Sequence, residues 1–416
     1  MHPLSLLLAV MAPLFLAAQS TILRPAFVFD GEKMREGWYV QVEGNKIIAA
    51  GPFKDATFPE GAVSIELPGQ TLLPGLIEGH SHLFLHPYNE TSWDDQVLRE
   101  SHAERTARAT VHAQKTLLAG FTTVRDLGTE GAGYDDLGLK AAIEKGVIPG
   151  PRIIAAGPAI VAGGSYGPKG FASHISTPVG ADVADGVDEL IRLVRKQIGQ
   201  GVDIIKVYAD YRWGLRGEAM PTFSLEELDA IVTTARSSGR DVVAHAATEE
   251  GMRRAILAGV TTIEHGDGAT PEILQLMAEK GVALCPTLGA VEAISQYRGW
   301  KKGEEPAPAR VVEKKEVFKQ ALAAGVTICM GGDVGVFTHG HNAWELELMV
   351  EYGMPPLEAL RSATSVNARI FGWADRLGAI KPGLVADLIA VEGRPDQDIK
   401  ALQQVKWVMK DGKVVK

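Results

Sequence analysis

Between residues 76 and 333, eight short apolar runs recur, and five of them carry a histidine or lysine near their C-terminal end or close on an aspartate. The runs are 76–82, 122–127, 152–156, 203–208, 241–246, 261–265, 282–287 and 326–333. The segments between them have apolar residues at helical spacing, as in 226–237, 249–257, 271–279 and 309–323. Many of these helices close on a glycine, such as Gly120, Gly146, Gly239, Gly259, Gly281 or Gly325, a residue that accepts the left-handed backbone that ends a helix. Eight strands, each followed by a helix, predict an α/β fold built on a closed parallel (β/α)8 barrel. A doubly wound open sheet is the alternative, but no Gly-x-Gly-x-x-Gly loop follows the first run.

Such a barrel takes roughly 250 residues, so a chain of 416 has material left over. Residues 21–73 and 377–416 both read as short β-strands separated by turns. Gly51, Gly61 and Gly69 punctuate the first stretch, and Asp411-Gly412 suits a hairpin turn in the second. Together they predict one small β-sandwich domain assembled from both ends of the chain, around a barrel domain at 74–376.

The beginning of the chain is different. Residues 3–18 carry no charge and are dominated by Leu, Ala, Val, Met and Phe. The run is shorter than the ~20 apolar residues a membrane span needs. It reads as a secretory signal peptide over 1–20, ending in small residues near Ala17, Ala18 and Ser20. That predicts a periplasmic or secreted protein without stable membrane insertion. No Lys or Arg precedes the run, so an uncleaved anchor or a misassigned start codon is the competing reading. The net charge of -9, with no Lys/Arg-rich run, argues against nucleic acid as a partner, because phosphate binding needs a basic face. Cys285 and Cys329 lie inside apolar runs and read as buried core thiols, although an exported chain could oxidise them.

Residues two apart on a strand share a face. His80 and His82 therefore project together from the end of the first run. Lys206 sits between apolar neighbours in the fourth run, where an ammonium is costly unless it is paired or neutralised. His245, His265 and Asp333 end the fifth, sixth and eighth runs. In a barrel all six stand at the C-terminal face, where the active sites of such folds lie. Imidazole and carboxylate donors suit zinc, with other divalent ions able to replace it.

The order His80-x-His82, Lys206, His245, His265, Asp333, with Lys381-Pro-Gly-Leu-Val-Ala-Asp-Leu388 near the end, resembles the amidohydrolase superfamily in its two-metal form. The resemblance covers essentially the whole chain. It implies that His80, His82 and Asp333 hold one divalent ion and His245 and His265 the second. Lys206, converted to a carbamate by carbon dioxide, would join the two ions together with a hydroxide. That hydroxide would attack an amide carbonyl, with Asp333 taking its proton and passing it to the leaving nitrogen. Glu78 stands where such relatives carry Asp, two residues before His80 on the same face. The loop 163–168 lacks the histidine that dipeptidase-like relatives often place there. His245 is followed by Ala-Ala-Thr, without the His-x-x-Glu of one-metal deaminases, which argues against deamination.

Tyr166, Tyr208, Arg212 and His341 are the candidate substrate contacts. Tyr208 follows Lys206 by two, and a guanidinium such as Arg212 suits a substrate carboxylate. The resemblance points to a small amide substrate, a dipeptide or an N-acyl amino acid, ochratoxin-type amides included, and to a homo-oligomer. A cyclic-amide hydrolase of the imidazolonepropionase type is the second reading. A metal-retaining protein without activity is the third.

Overall fold

The computed structural model describes residues 19–416. The predicted leader, apart from its last two residues, lies outside them, and Ser20 opens the first strand. No helix among the described residues is long and apolar enough to cross a membrane.

Seven of the eight expected barrel strands form where the apolar runs place them: Leu76–Ser81, Phe121–Asp126, Arg152–Ala155, Ile205–Tyr208, Val242–Ala246, Thr262–His265 and Ala283–Cys285. Neighbouring strands pair in parallel, within a three-stranded and a six-stranded sheet. The eighth run, 326–333, is a correction to the sequence reading, because it does not form a continuous strand. It meets its neighbours through single bridges, Ile328 to Leu284 and Val334 to Ser81. The physical reason is its Met330-Gly331-Gly332-Asp333 ending, whose glycines weaken an extended strand, and Asp333 itself has a left-handed backbone. The sheets as formed do not close on themselves.

Two glycines let segment 326–334 approach the first strand. A Cβ on Gly79 would come within 2.4 Å of the Met330 carbonyl oxygen, and one on Gly331 within 2.7 Å of the His80 nitrogen. Backbone bonds from Gly79 N to Met330 O (2.9 Å) and from Asp333 N to His80 O (2.8 Å) fill the space. This approach carries Asp333 to the histidines.

The helices follow their apolar faces. Leu225–Arg236 buries Leu228, Ile231, Val232 and Ala235, and starts on a capping box between Ser224 and Glu227. Pro271–Lys280 begins with proline, ends on Gly281 at φ 69°, and buries Ile273, Leu274 and Met277. Ala309–Ala323 covers the predicted span. One departure lies after Ile205–Tyr208, where a small hairpin of Asp210–Arg212 and Ala219–Pro221 precedes the next helix.

Both ends of the chain meet in one eight-stranded sheet, ordered Lys413–Val414, Val405–Lys410, Leu388–Glu392, Val63–Pro74, Ser20–Phe29, Trp38–Glu43, Lys46–Pro52, with Met34–Glu36 against Ser20–Phe29. The hairpin at Asp411-Gly412 forms with both residues at positive φ, as its turn type requires. Leu23, Val40, Leu72, Leu388 and Trp407 share a core in this sheet. The strand Val63–Pro74 runs out of it directly into Leu76–Ser81 and thereby ties the sheet to the site.

Candidate metal centre

His80 and His82 share one strand face, as the two-residue period demands. Their rings lie 5.3 Å apart, His80 lies 5.2 Å from His265, and His265 lies 4.5 Å from His245. Asp333 Oδ1 stands 3.2 Å from His82 Nε2 and 3.6 Å from His80 Nε2. The donor atoms of His80, His265 and Asp333 all fall within 4.8 Å of one another. This tight trio takes members from both of the ligand sets that the sequence order implies.

Three imidazoles are held by their Nδ1 atoms. His80 Nδ1 donates to Glu264 (2.8 Å), His82 Nδ1 to the Gly128 carbonyl (2.8 Å) and His265 Nδ1 pairs with the Thr287 hydroxyl (2.8 Å). The orientation of each ring is fixed by its partner, which leaves Nε2 of His80 and His265 turned away for a ligand role, while His82 Nε2 pairs with Asp333. His245 is placed differently. It stacks on Tyr208 at 4.5 Å, and Asp210 Oδ1 is 3.9 Å from its Nε2.

Burial dominates the electrostatics. It lowers His80 to about 4 and His245 to about 3, each helped by the charge of Lys206. It also drives His265 well below the usual range, with His245 and His80 adding to the effect. Neutral imidazoles are the form that ligates a cation. His82 is the exception: burial alone would lower it, but the Asp333 carboxylate holds it up at about 9. Asp333 shows the reciprocal effect, since burial would raise it while His80, His82 and Lys206 hold it at about 2. Lys206 is fully buried, and burial lowers its amine against the pull of Glu264 and Asp333. An amine with a lowered pKa is more available as the neutral nucleophile that adds to carbon dioxide.

The donor set fits divalent cations: imidazole nitrogens with their other nitrogen tied down, one ionised carboxylate, and a lysine able to become an anionic carbamate. A second trio of donor atoms, His80, Glu264 and Cys285, does not fit. Glu264 is already engaged by His80 Nδ1 and by Arg125 Nη2 at 2.9 Å. Burial raises the Cys285 thiol, so it is not a thiolate. Both cysteines are free and buried, as the sequence predicts.

Glu78 is a framework residue. Its carboxylate accepts from His80 N (3.0 Å), Gly332 N (2.9 Å) and Asn342 Nδ2 (3.0 Å), which fastens the first strand to the loop bearing Asp333. Burial pushes it up to about 7.

Of the candidate substrate contacts, Tyr166 and Tyr208 come together. Their rings are 4.8 Å apart, and Tyr208 joins them to His245. Arg212 is exposed on the hairpin, 3.3 Å from the Tyr211 hydroxyl. His341 is exposed and lines a separate groove of about 830 Å³ with Lys115, Tyr297 and Trp344, and no contact links it to the metal-site donors.

Sequence reasoning missed Asp210, Glu264, Arg125, Thr287 and Glu130. Asp210 had a signal: it continues the two-residue alternation from Lys206 and Tyr208 and is fully buried, accepting from Ala247 N, Thr248 N and the Thr248 hydroxyl. Arg125 and Glu264 also had one, as charged residues inside apolar runs. Thr287 and Glu130 had none, because only the backbone distinguishes them. Among the described residues, five non-glycine positions have positive φ: Glu130, His265, Thr287, Asp333 and, in the terminal hairpin, Asp411.

These features define a class: an α/β protein with candidate metal-ligating side chains gathered at the C-terminal ends of parallel strands. The chain belongs to the amidohydrolase family, whose profile matches residues 71–415, and it is a hydrolase acting on carbon–nitrogen bonds. It is 34% identical to ochratoxinase of Aspergillus niger over 376 residues, covering 83% of this chain and 75% of that protein. The crystal structure of A. niger ochratoxinase superposes with a TM-score of 0.81 over 96% of each chain, at 29% identity. A Xaa-Pro dipeptidase with methionine bound in its active site gives a TM-score of 0.85 at 33% identity, over 96% of this chain and all of the other. Imidazolonepropionase of Sphingopyxis alaskensis is 24% identical, over 84% of this chain and 85% of its own length.

Proposed function

We propose that this chain is a two-metal amidohydrolase that cleaves the acyclic amide bond of a dipeptide or an N-acyl amino acid, ochratoxin-type amides included. The observation that carries the reading is the trio His80, His265 and Asp333, with donor atoms within 4.8 Å, beside a buried lysine whose amine is pushed down. His80, His82 and Asp333 would hold one divalent ion, zinc by donor chemistry, and His245 and His265 the other, with Lys206 as a carbamate between them. Bound there, the ions supply Lewis acidity and a water of lowered pKa.

The chain's own residues do the rest. Asp333 stays ionised at any neutral pH, held at about 2, and is the proton acceptor that later protonates the leaving nitrogen. Glu264 and the Gly128 carbonyl keep His80 and His82 oriented. Arg212 is the partner for the carboxylate of the leaving amino acid, and Tyr166 and Tyr208 wall the acyl side. The ochratoxinase and Xaa-Pro dipeptidase likenesses support an acyclic amide over a cyclic one, because both outrank imidazolonepropionase in identity.

The parallel segments read as the staves of a closed (β/α)8 barrel over 74–376. The bridges of 326–334 to strands on either side, and the bond from Asp203 N to Ala155 O (2.8 Å), support closure. Residues 21–73 and 377–416 form the small β-sandwich domain in this reading. Export through the leader and assembly into a homo-oligomer complete the proposal.

The test is metal content measured alongside turnover of a mixed dipeptide and N-acyl amino acid library. About two metals per chain with release of free amino acid is the expected result. About one metal per chain, or none, would overturn the Lys206 bridge. Two metals without release would move the substrate outside these classes.

A further inference from the structure

Glu130 is a buried carboxylate, 3% exposed, with no role in the machinery described so far. It accepts hydrogen bonds from three neutral donors: Trp93 Nε1 (2.9 Å), the Tyr166 hydroxyl (2.5 Å) and the Tyr208 hydroxyl (3.3 Å). A carboxylate offers about four acceptor sites, so capacity remains. Among the described residues, no Lys, Arg or His nitrogen lies within 4.0 Å of its carboxylate oxygens. The neighbouring Arg105 guanidinium binds the Glu130 backbone carbonyl instead (2.7 Å). A buried carboxylate with no direct ion pair is costly; the charges of Arg105 and His82 reach it only through space, and a structural anchor for two tyrosines and a tryptophan does not require charge.

Its surroundings are aromatic. Trp93 packs edge-on to Tyr166 at 5.2 Å, and Tyr166 packs on Tyr208 at 4.8 Å and Tyr211 at 4.7 Å. Aromatic faces attract a desolvated ammonium, tryptophan most strongly. The cluster also adjoins histidines of both candidate ligand sets. Tyr208 stacks on His245. The position that a Cβ on Gly128 would take lies 3.2 Å from Glu130 Oε1 and 3.7 Å from the His82 ring. Independently, the backbone singles the residue out. Glu130 shares positive φ with His265, Thr287 and Asp333 around the same centre, and such strain in non-glycine residues concentrates at functional sites.

We propose that Glu130, walled by Trp93, Tyr166 and Tyr208, is the subsite for an ammonium on the acyl side of the scissile bond. The preferred substrates are then dipeptides with a free amino terminus rather than N-acyl amino acids. This rests on the amidohydrolase reading above and names the substrate half that reading leaves open.

The test compares L-alanyl-L-methionine with propionyl-L-methionine, which differ only in the amine. The metal-loaded wild type is expected to favour the dipeptide in kcat/KM by at least about tenfold, and Glu130→Gln to remove that preference while leaving the propionyl substrate within about twofold. An equal loss on both substrates would make Glu130 a structural anchor and overturn the proposal, as would a wild type indifferent to the amine. Titration calorimetry of the wild type with L-alaninamide and with propionamide reads the subsite without hydrolysis or a variant. Binding of the amine alone supports the subsite even if neither amide bond is cleaved, a result that would refute the amidase reading only. Equal or absent binding of both ligands would overturn the subsite whatever the turnover.

Discussion

Replacing Glu264 by glutamine should damage both stability and metal binding. The Glu264 carboxylate lies fully buried beneath His80 and takes three donors: His80 Nδ1 at 2.8 Å, Arg125 Nη2 at 2.9 Å and the Thr262 hydroxyl. Burial works against its charge, but Arg125 and His80 hold it below the ordinary carboxylate range. Arg125 is itself buried, with further bonds to the Gly79 carbonyl (2.6 Å) and the Thr262 hydroxyl (3.2 Å) and its guanidinium 4.6 Å from the Phe371 ring. A glutamine amide has one oxygen and one NH2 group, so at least one donor faces another donor. Removing one partner of a buried ion pair costs about 3–5 kcal/mol. Weakening the acceptor that orients a ligating imidazole costs roughly 10–100-fold in metal affinity. Denaturant unfolding of the metal-free variant reads the first effect, and calorimetric zinc titration of the folded variant reads the second. Wild-type stability in Glu264→Gln would refute the claim that Arg125 depends on this carboxylate. Wild-type zinc affinity would refute the claim that Glu264 sets up His80.

Three further outcomes follow from the same geometry. Lys206→Ala should lose most of its metal and activity, and full activity in that variant, with metal measured by elemental analysis, would sink the bridging role. His82 titrates at about 9 in the metal-free protein, above its ordinary 6.5; its proton therefore contributes stability below 6.5 that is lost as pH rises through 9. A metal must displace this proton, so zinc affinity should climb across that window, with proton release near neutral pH detectable by calorimetry in buffers of different ionisation heat; pH-independent affinity would contradict the His82–Asp333 pairing. Arg212→Ala should lower kcat/KM for substrates with a leaving-side carboxylate by about tenfold or more while sparing their amides, and equal effects on both would remove Arg212 from the pocket.

Much of this architecture was legible in the chain because it rests on local rules. The two-residue strand period places His80 and His82 on one face, and the same rule applied to Lys206 reaches Tyr208 and Asp210. Helical apolar spacing and glycine stops located helices such as Ala309–Ala323. The roles of residues without a periodic signature were not legible. Glu264 and His265 are adjacent, yet both reach His80, because the left-handed backbone at His265 breaks the strand alternation, and the partners of Glu264, Arg125 and His80, lie 139 and 184 residues away. Nothing in the order of residues announces those pairings.

By itself, then, the sequence determined the alternation of strands and helices, the bringing together of both β-rich ends, and six candidate donors at or near the ends of apolar runs, because each follows from periodicity and position along a run. Only the tertiary structure decided how those donors sit relative to one another. The approach of Gly79 to Met330 draws Asp333 onto His80 and His82, while Tyr208 pairs with His245 and Glu130 closes among aromatic rings. Those contacts depend on segments far apart in the chain arriving at one face, and on left-handed backbone at Glu130, His265, Thr287 and Asp333 that residue type does not foretell.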